Sequence, residues 1–173
     1  NGDGTFQAAS AAQFFDPNNR PTNGAVSCDY DNDGDMDIFV STYSVSTLYG
    51  HNHLWENQGG TFTNVAVERG FAAQPGGNSW LGLIDSVEPG KTPTSYVGSN
   101  GFGLACADIS GDGLLDILLA TISHPVDADY NRKWSDPTQV LINRGEVEGY
   151  AFVNEASLRG LPFNEGDIDA AII

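Results

Sequence analysis

The sequence has few basic residues and no long apolar run, and each shortage excludes a class of protein. Only 7 Lys and Arg stand against 23 Asp and Glu, which gives a formal net charge of −16. Nucleic acid and anionic membrane surfaces are excluded as partners, because both would repel such a chain. No stretch of 18 apolar residues occurs, so the sequence predicts no direct membrane insertion.

Cysteine is also scarce, since the chain contains only Cys28 and Cys106. Each ends an apolar strand pattern, one residue before an Asp cluster in the first case and two residues before it in the second. That offset puts the two side chains on opposite strand faces. We therefore predict two small buried side chains rather than a disulfide, and the cysteines say little about the compartment.

A starting Met, a signal peptide pattern and a sustained helical period are absent as well. The chain starts within a turn pattern at residues 1–4 and stops within an apolar strand pattern at residues 170–173. We expect a mature or partial piece of a longer protein. The 21 glycines, with plentiful Asn, Asp and Pro, indicate many turns and therefore an all-β chain.

What the sequence does contain is an internal repeat. Residues 29–37 read DYDNDGDMD and residues 108–116 read DISGDGLLD, each followed by a strand-like apolar segment. Further along, residues 53–59 correspond to residues 139–145, and residues 62–71 correspond to residues 152–161. Each unit reads as strand, Asp loop, strand, connection, strand, turn and strand. This order predicts a four-stranded antiparallel meander.

Acids at alternate positions of both loops indicate a metal site. Calcium takes six to eight oxygen ligands from carboxylates, carbonyls and water, and the Gly at position 6 permits the sharp turn that brings the position 7 carbonyl to the ion. All-oxygen ligation argues against zinc or copper, and magnesium is less suited to a dense protein cage. We predict two Ca²⁺ ions. The ligands expected in the first loop are Asp29, Asp31, Asp33, Asp37 and the backbone carbonyl of Asp35. Those expected in the second loop are Asp108, Ser110, Asp112, Asp116 and the backbone carbonyl of Leu114.

An EF-hand would explain similar spacing, but it requires Glu at position 12 between two helices. Position 12 is Val40 in one loop and Leu119 in the other, and each lies in a strand pattern. The sequence therefore argues against the EF-hand and against other helix-flanked calcium loops.

The motif D-x-D-x-D-G-x-x-D between strands resembles the FG-GAP and VCBS repeats of the integrin α-subunit propeller and of bacterial secreted proteins. Residues 101–108 resemble the Phe-Gly strand that leads into such a loop, and residues 54–62 are similar to the VCBS units that accompany the bacterial ASPIC/UnbV domain. Ser110 departs from the pattern, because it replaces an acid. The resemblance implies a β-propeller whose calcium loops join the first and second strands of each blade, with structural rather than catalytic ions.

On this interpretation the whole chain, 1–173, is part of one propeller-like domain. Its approximate units are the end of a preceding blade at 1–15, a blade at 24–71, an insertion at 72–101, a blade at 102–161 and the first strand of a following blade at 167–173. Two full units cannot close a ring, which usually needs four to eight blades. We therefore expect the remainder of a larger propeller or an assembly.

The expected function is a calcium-binding extracellular, cell-surface or periplasmic module for protein binding or adhesion. A glycan-binding propeller is an alternative, with Trp80, Tyr96 and Trp134 stacking on sugars. A non-catalytic scaffold of a larger secreted enzyme is another. Catalysis by this chain is not expected, because His51, His53 and His124 read as turn, surface or loop residues and neither cysteine has a neighbouring His.

Overall fold

The computed structural model describes residues 4–5, 7, 22–42, 52–72, 101–121 and 138–161, and the fold is reported for these residues. They form eight strands and one short 3₁₀ helix. The strands are β1 (Thr22–Cys28), β2 (Asp37–Thr42), β3 (His53–Gln58), β4 (Thr61–Asn64), β5 (Gly101–Ala107), β6 (Asp116–Thr121), β7 (Gln139–Asn143) and β8 (Phe152–Asn154), and the 3₁₀ helix is Glu146–Glu148. None of the helices in the described part of the chain has the length and apolarity needed to cross a membrane.

The strands form two four-stranded antiparallel sheets, in the orders β1-β2-β3-β4 and β5-β6-β7-β8. The all-β class and the two predicted meanders are confirmed. Tight turns join β3 to β4 through Gly59 and Gly60, both of which have positive φ. The turn from β7 to β8 is longer and contains the 3₁₀ helix. The predicted units at 1–15, 72–101 and 167–173 fall almost entirely outside the described residues.

The main core lies where the two sheets pack together. The first unit, which is the sheet β1–β4 with its loops, contributes Tyr30, Phe39, Leu54 and Phe71 to this core. The second unit, which is the sheet β5–β8 with its loops, contributes Ile117, Leu119, Leu141 and Phe152. Phe39 lies at its centre, with its ring 5.1 Å from that of Phe71 and 5.6 Å from that of Phe152, both edge to face. Aromatic pairs in this geometry are favourable beyond the area that they bury.

The first strands of the two sheets, β1 and β5, lie side by side and approach closely. A side chain at Gly24 would overlap the carbonyl oxygen of Phe102, so only glycine fits there. Hydrogen bonds cross the junction from the Ser41 hydroxyl to the carbonyl of Phe102 (2.8 Å) and from the Asn23 amide to the carbonyl of Gly101 (3.0 Å).

A disulfide between Cys28 and Cys106 joins these two strands, with the Cα atoms 6.7 Å apart. The prediction of two unpaired thiols is therefore wrong. It rested on the alternation of side chains along a strand, which holds within one sheet. Because β1 and β5 belong to different sheets that face each other, a one-residue offset does not separate the two sulfur atoms.

Candidate metal centre

Both Asp loops lie between the first and second strands of a sheet, as the sequence predicts. The first connects β1 to β2 and the second connects β5 to β6. Val40 and Leu119, at position 12 of the loops, are inside β2 and β6. Strands rather than the helices of an EF-hand therefore flank both loops, as the sequence predicts.

The first loop curls around the carboxylate of Asp29. Its two oxygens accept the backbone N–H groups of Asp33 and Gly34, each at 3.1 Å. Asn32 and Gly34 adopt positive φ values of 57° and 94°, which turn the chain sharply. Glycine tolerates this conformation without the steric cost that a Cβ atom brings.

Three carboxylates of the first loop converge. One oxygen from each of Asp29, Asp31 and Asp37 lies within 4.8 Å of the others. Oxygens bound to one calcium ion at 2.3–2.6 Å can be separated by up to about 5 Å, so this spacing fits a shared ion. Asp33 is outside this group of three, and its Oδ1 accepts the N–H of Asp35 at 2.8 Å. The backbone carbonyl of Asp35 stays a predicted ligand.

Asp37 is the most deeply placed acid of the first loop, because it begins β2 and is completely buried. Its Oδ1 accepts the N–H of Asn57 at 2.9 Å and its Oδ2 accepts the N–H of Tyr30 at 3.3 Å. Burial raises the pKa of Asp37 to about 6. Burial also raises the pKa of Asp31, with a further contribution from the charge of Asp33. A bound cation would favour the ionised form of both groups.

The second loop repeats the hydrogen bonding of positions 1 and 9, but among the described residues only the first loop brings three carboxylates together. Asp108 accepts the N–H groups of Gly111, Asp112 and Gly113 at 2.7–3.1 Å. Asp116 is completely buried and begins β6. It accepts the N–H groups of Ile109, Ser110 and Asn143, each at 2.9 Å. In both units, the position 1 carboxylate therefore accepts N–H groups within the loop. The position 9 carboxylate accepts an N–H group from the third strand of its sheet.

The hydroxyl of Ser110 tests whether a cation fits the second loop. Its oxygen is buried and has no hydrogen-bond partner, although buried polar atoms normally have one. Ser110 stands at position 3, where the first loop has the clustered Asp31. A hard cation accepts a hydroxyl oxygen as a ligand, so the residues present fit an oxygen-ligated cation. The carbonyl of Leu114 stays a predicted ligand.

Two asparagines with a structural role at the loops were not singled out from the sequence. Asn57 and Asn143 donate their backbone N–H to the position 9 carboxylates, Asp37 and Asp116. The signal was present in the sequence, since both stand at the same place in the repeat.

A buried polar group beneath the first loop was also missed. Tyr30 at position 2 sends its hydroxyl to Glu56, and Arg69 donates to the same carboxylate oxygen through Nη2 at 2.8 Å. Arg69 also reaches the second sheet unit by donating to the carbonyl of Gly149 at 2.8 Å. In the second unit Ile142 replaces Glu56, and Arg159 pairs instead with Glu155 at 2.8 Å.

His53 differs from its predicted surface position, because it is buried in β3. Its ring stacks on Trp55 with the centroids 5.8 Å apart, and its Nδ1 is 2.8 Å from the amide nitrogen of Asn64. The apolar face of the imidazole is thus used in packing. His51, His124 and the three aromatic residues proposed for glycan binding, Trp80, Tyr96 and Trp134, lie outside the described residues.

Comparison with protein-family models found no match to this chain. Comparison with curated proteins found no relative.

Proposed function

We propose that the chain is a calcium-binding extracellular repeat module in which two Ca²⁺ ions fix the loops between first and second strands and thereby support protein binding or adhesion. The observation that carries this proposal is the common construction of the two loops. In each, an exposed or half-buried position 1 carboxylate organises the turn and a fully buried position 9 carboxylate ends it. Further oxygen ligands stand at positions 3 and 5.

Electrostatics supports the ion. The first loop places the carboxylates of Asp29, Asp31 and Asp37 together, and Asp33 lies close enough to Asp31 to raise its pKa. Five aspartate side chains in nine residues repel each other unless a cation neutralises them. The ions in this proposal are structural rather than catalytic.

We also propose that the two sheets are blades of a larger β-propeller of the FG-GAP or VCBS kind. The support is a correspondence between two apolar faces. Five residues of the first unit pack against the second sheet: Tyr30, Phe39, Leu54, Ala66 and Phe71. Their repeat equivalents in the second unit form an apolar cluster of their own: Ile109, Leu118, Val140, Ala156 and Leu161. A face of this composition suits packing against a further unit.

An extracellular, cell-surface or periplasmic location is part of the proposal. The disulfide between Cys28 and Cys106 supports it, because disulfides persist in oxidising compartments and are rare in the cytosol. Extracellular calcium modules bind the ion at about 10⁻⁴–10⁻³ M, and we expect the two loops to bind in this range.

Thermal unfolding tests the ion. The Tm is measured in millimolar CaCl₂, in equal MgCl₂ and in EGTA. Calcium at about ten times its Kd stabilises a folded protein by about 1.4 kcal/mol per site, so we expect a clear rise in Tm with calcium and a smaller one with magnesium. The variant Asp29→Asn/Asp108→Asn keeps the side-chain shape and is expected to lose the response. An unchanged Tm of the wild-type chain would refute the proposal.

Ligand class is tested separately. The calcium-loaded chain is applied to a glycan array and to a panel of immobilised extracellular proteins. Calcium-dependent binding to proteins supports adhesion, and binding confined to glycans would replace adhesion by lectin function.

A further inference from the structure

A continuous chain of hydrogen bonds links the two loops across the junction between the sheets. It begins at Asp37 of the first loop, whose Oδ2 accepts the N–H of Tyr30 at 3.3 Å. The carbonyl of Tyr30 accepts the side-chain amide of Asn143 at 2.8 Å. The backbone N–H of Asn143 then donates to Oδ1 of Asp116 in the second loop at 2.9 Å. Two residues, Tyr30 and Asn143, thus connect the position 9 carboxylates of both loops.

We propose that this chain of hydrogen bonds couples the two calcium sites, so that an ion in one loop strengthens binding in the other. The inference rests on the proposed calcium binding. Asn143 is the positioning residue, since its side chain crosses from the second sheet unit to the first loop.

Tyr30 directly precedes Asp31, a predicted calcium ligand, so the hydrogen bond from Asn143 acts next to that ligand. The carbonyl that Asn143 holds belongs to the peptide bond leading into Asp31, one of the three clustered carboxylates. The side chain of Tyr30 is completely buried in the core between the sheets. A shift of Asn143 is therefore transmitted to the backbone of the first loop rather than lost in a mobile segment.

The coupling between the two sites is expected to be favourable because both ions order the same peptide groups. An ion in either loop fixes its position 9 carboxylate and, through the hydrogen bonds, the peptide groups of Tyr30 and Asn143. The second ion then orders fewer groups on binding, which gives positive cooperativity. Coupling between sites commonly changes an affinity by about 5–150-fold, and the change is the same in both directions.

Asn57 offers a matched control, because it is the repeat equivalent of Asn143 in the first unit. Its backbone N–H donates to Asp37, and its side-chain amide donates to the carbonyl of Met36 at 3.2 Å, as that of Asn143 does to Leu115 at 3.3 Å. The bond from Asn143 to Tyr30 crosses between the sheet units, whereas these contacts of Asn57 stay within its own unit. Both asparagines also accept an N–H in the following turn.

Calcium titration by NMR tests the coupling, with the amides of Gly34 and Gly113 reporting on the first and second loops. The disulfide-bonded chain is titrated as wild type and as Asp33→Ala, which weakens the first loop without removing any group of the hydrogen-bond chain. We expect the Kd of the second loop to rise by at least about fivefold in Asp33→Ala. The measured quantity is the ratio of the second-loop Kd with Asp33→Ala to the second-loop Kd without it. This ratio is expected to fall to about one when Asn143→Ala is also present, and to stay at about fivefold or more when Asn57→Ala is present instead.

The outcomes separate the two proposals. Calcium that shifts neither glycine amide would refute calcium binding itself. Shifts at both amides with a second-loop Kd that Asp33→Ala leaves unchanged would overturn the coupling alone. Equal ratios in the Asn143→Ala and Asn57→Ala backgrounds would show that Asn143 does not carry it. If Asn143→Ala fails to fold, the wild type and Asp33→Ala still measure the coupling, and a ratio of one overturns it.

Discussion

Tyr30 combines two roles in one residue, because its backbone belongs to the first loop and its side chain belongs to the core. The hydroxyl donates to Glu56 and accepts from Nε of Arg69 at 3.0 Å. Burial raises the pKa of Tyr30, so the hydroxyl stays protonated and remains a donor. We expect Tyr30→Phe to lower the free energy of unfolding by about 1.5–3 kcal/mol, since a buried carboxylate loses a hydrogen bond. Urea denaturation measures this loss.

The control for Tyr30 is Tyr150→Phe. The ring of Tyr150 contacts that of Tyr30, with the centroids 6.0 Å apart, and the substitution removes the same atom while the bond from Tyr30 to Glu56 remains. A loss below about 1 kcal/mol is expected. Equal losses in the two variants would show that the contact with Glu56 is not responsible.

The raised pKa of Asp37 leads us to expect that the calcium-induced rise in Tm depends on pH. Its folded-state pKa of about 6 exceeds the ordinary value of 3.8, so the metal-free folded state holds a proton that the unfolded chain releases. Metal-free stability therefore decreases as the pH rises from about 4 to about 6. Calcium needs the ionised carboxylate and competes with that proton. We expect the calcium-induced rise in Tm to be small near pH 5 and to grow through about pH 6.

The same Tm measurements on two variants localise the pH effect. Asp35→Asn removes an acid from the same loop and leaves Asp37, so the dependence should persist. Asp37→Asn removes the titrating group, and the change near pH 6 should disappear. A calcium response of equal size at pH 5 and pH 7 in the wild type would contradict the assignment.

At the scale of the loop, position 3 distinguishes the two elements, with Asp31 in the first and Ser110 in the second. Calcium affinity rises with the number of charged ligands. We expect the first loop to bind more tightly, and a reciprocal exchange tests this expectation. Ser110→Asp should tighten the second loop and Asp31→Ser should weaken the first, as followed by the amides of Gly113 and Gly34. A second loop that fills first in the wild type would contradict the expected order.

The elements themselves could largely be predicted from the sequence, because their signals are local. The alternation of apolar residues and the turn residues predicted both meanders, and the spacing of acids placed both loops between strands. The hydrogen bond from Asn143 to the carbonyl of Tyr30 and the disulfide partner of Cys28 could not be predicted in this way. Both act across the junction between the sheets, and periodicity within one unit carries no information on how two units face each other.

Equivalent residues of the two repeat units also form different ion pairs, and the repeat pattern does not predict them. Arg69 and Arg159 occupy equivalent positions, yet one reaches Glu56 and the neighbouring sheet while the other pairs with Glu155. The replacement of Glu56 by Ile142 in the second unit accounts for this difference, because the buried carboxylate is gone. Equivalence in sequence therefore predicted the strands but not the ion pairs.

At the scale of the whole molecule, the disulfide between Cys28 and Cys106 ties the sheets together across 78 residues. Closing a chain segment of this length constrains the unfolded state by about 4.5 kcal/mol in the chain-entropy treatment, and measured effects are commonly about 2–4 kcal/mol. We expect reduction to lower the free energy of unfolding by about 2–4 kcal/mol, as measured by urea denaturation with and without reductant.

The control is the variant Cys28→Ala/Cys106→Ala. It should have the stability of the reduced chain, and reductant should not change that stability. Calcium should stabilise both forms, since it binds only the folded loops. A wild-type transition that reductant leaves in place would show that the sheets are held by packing alone.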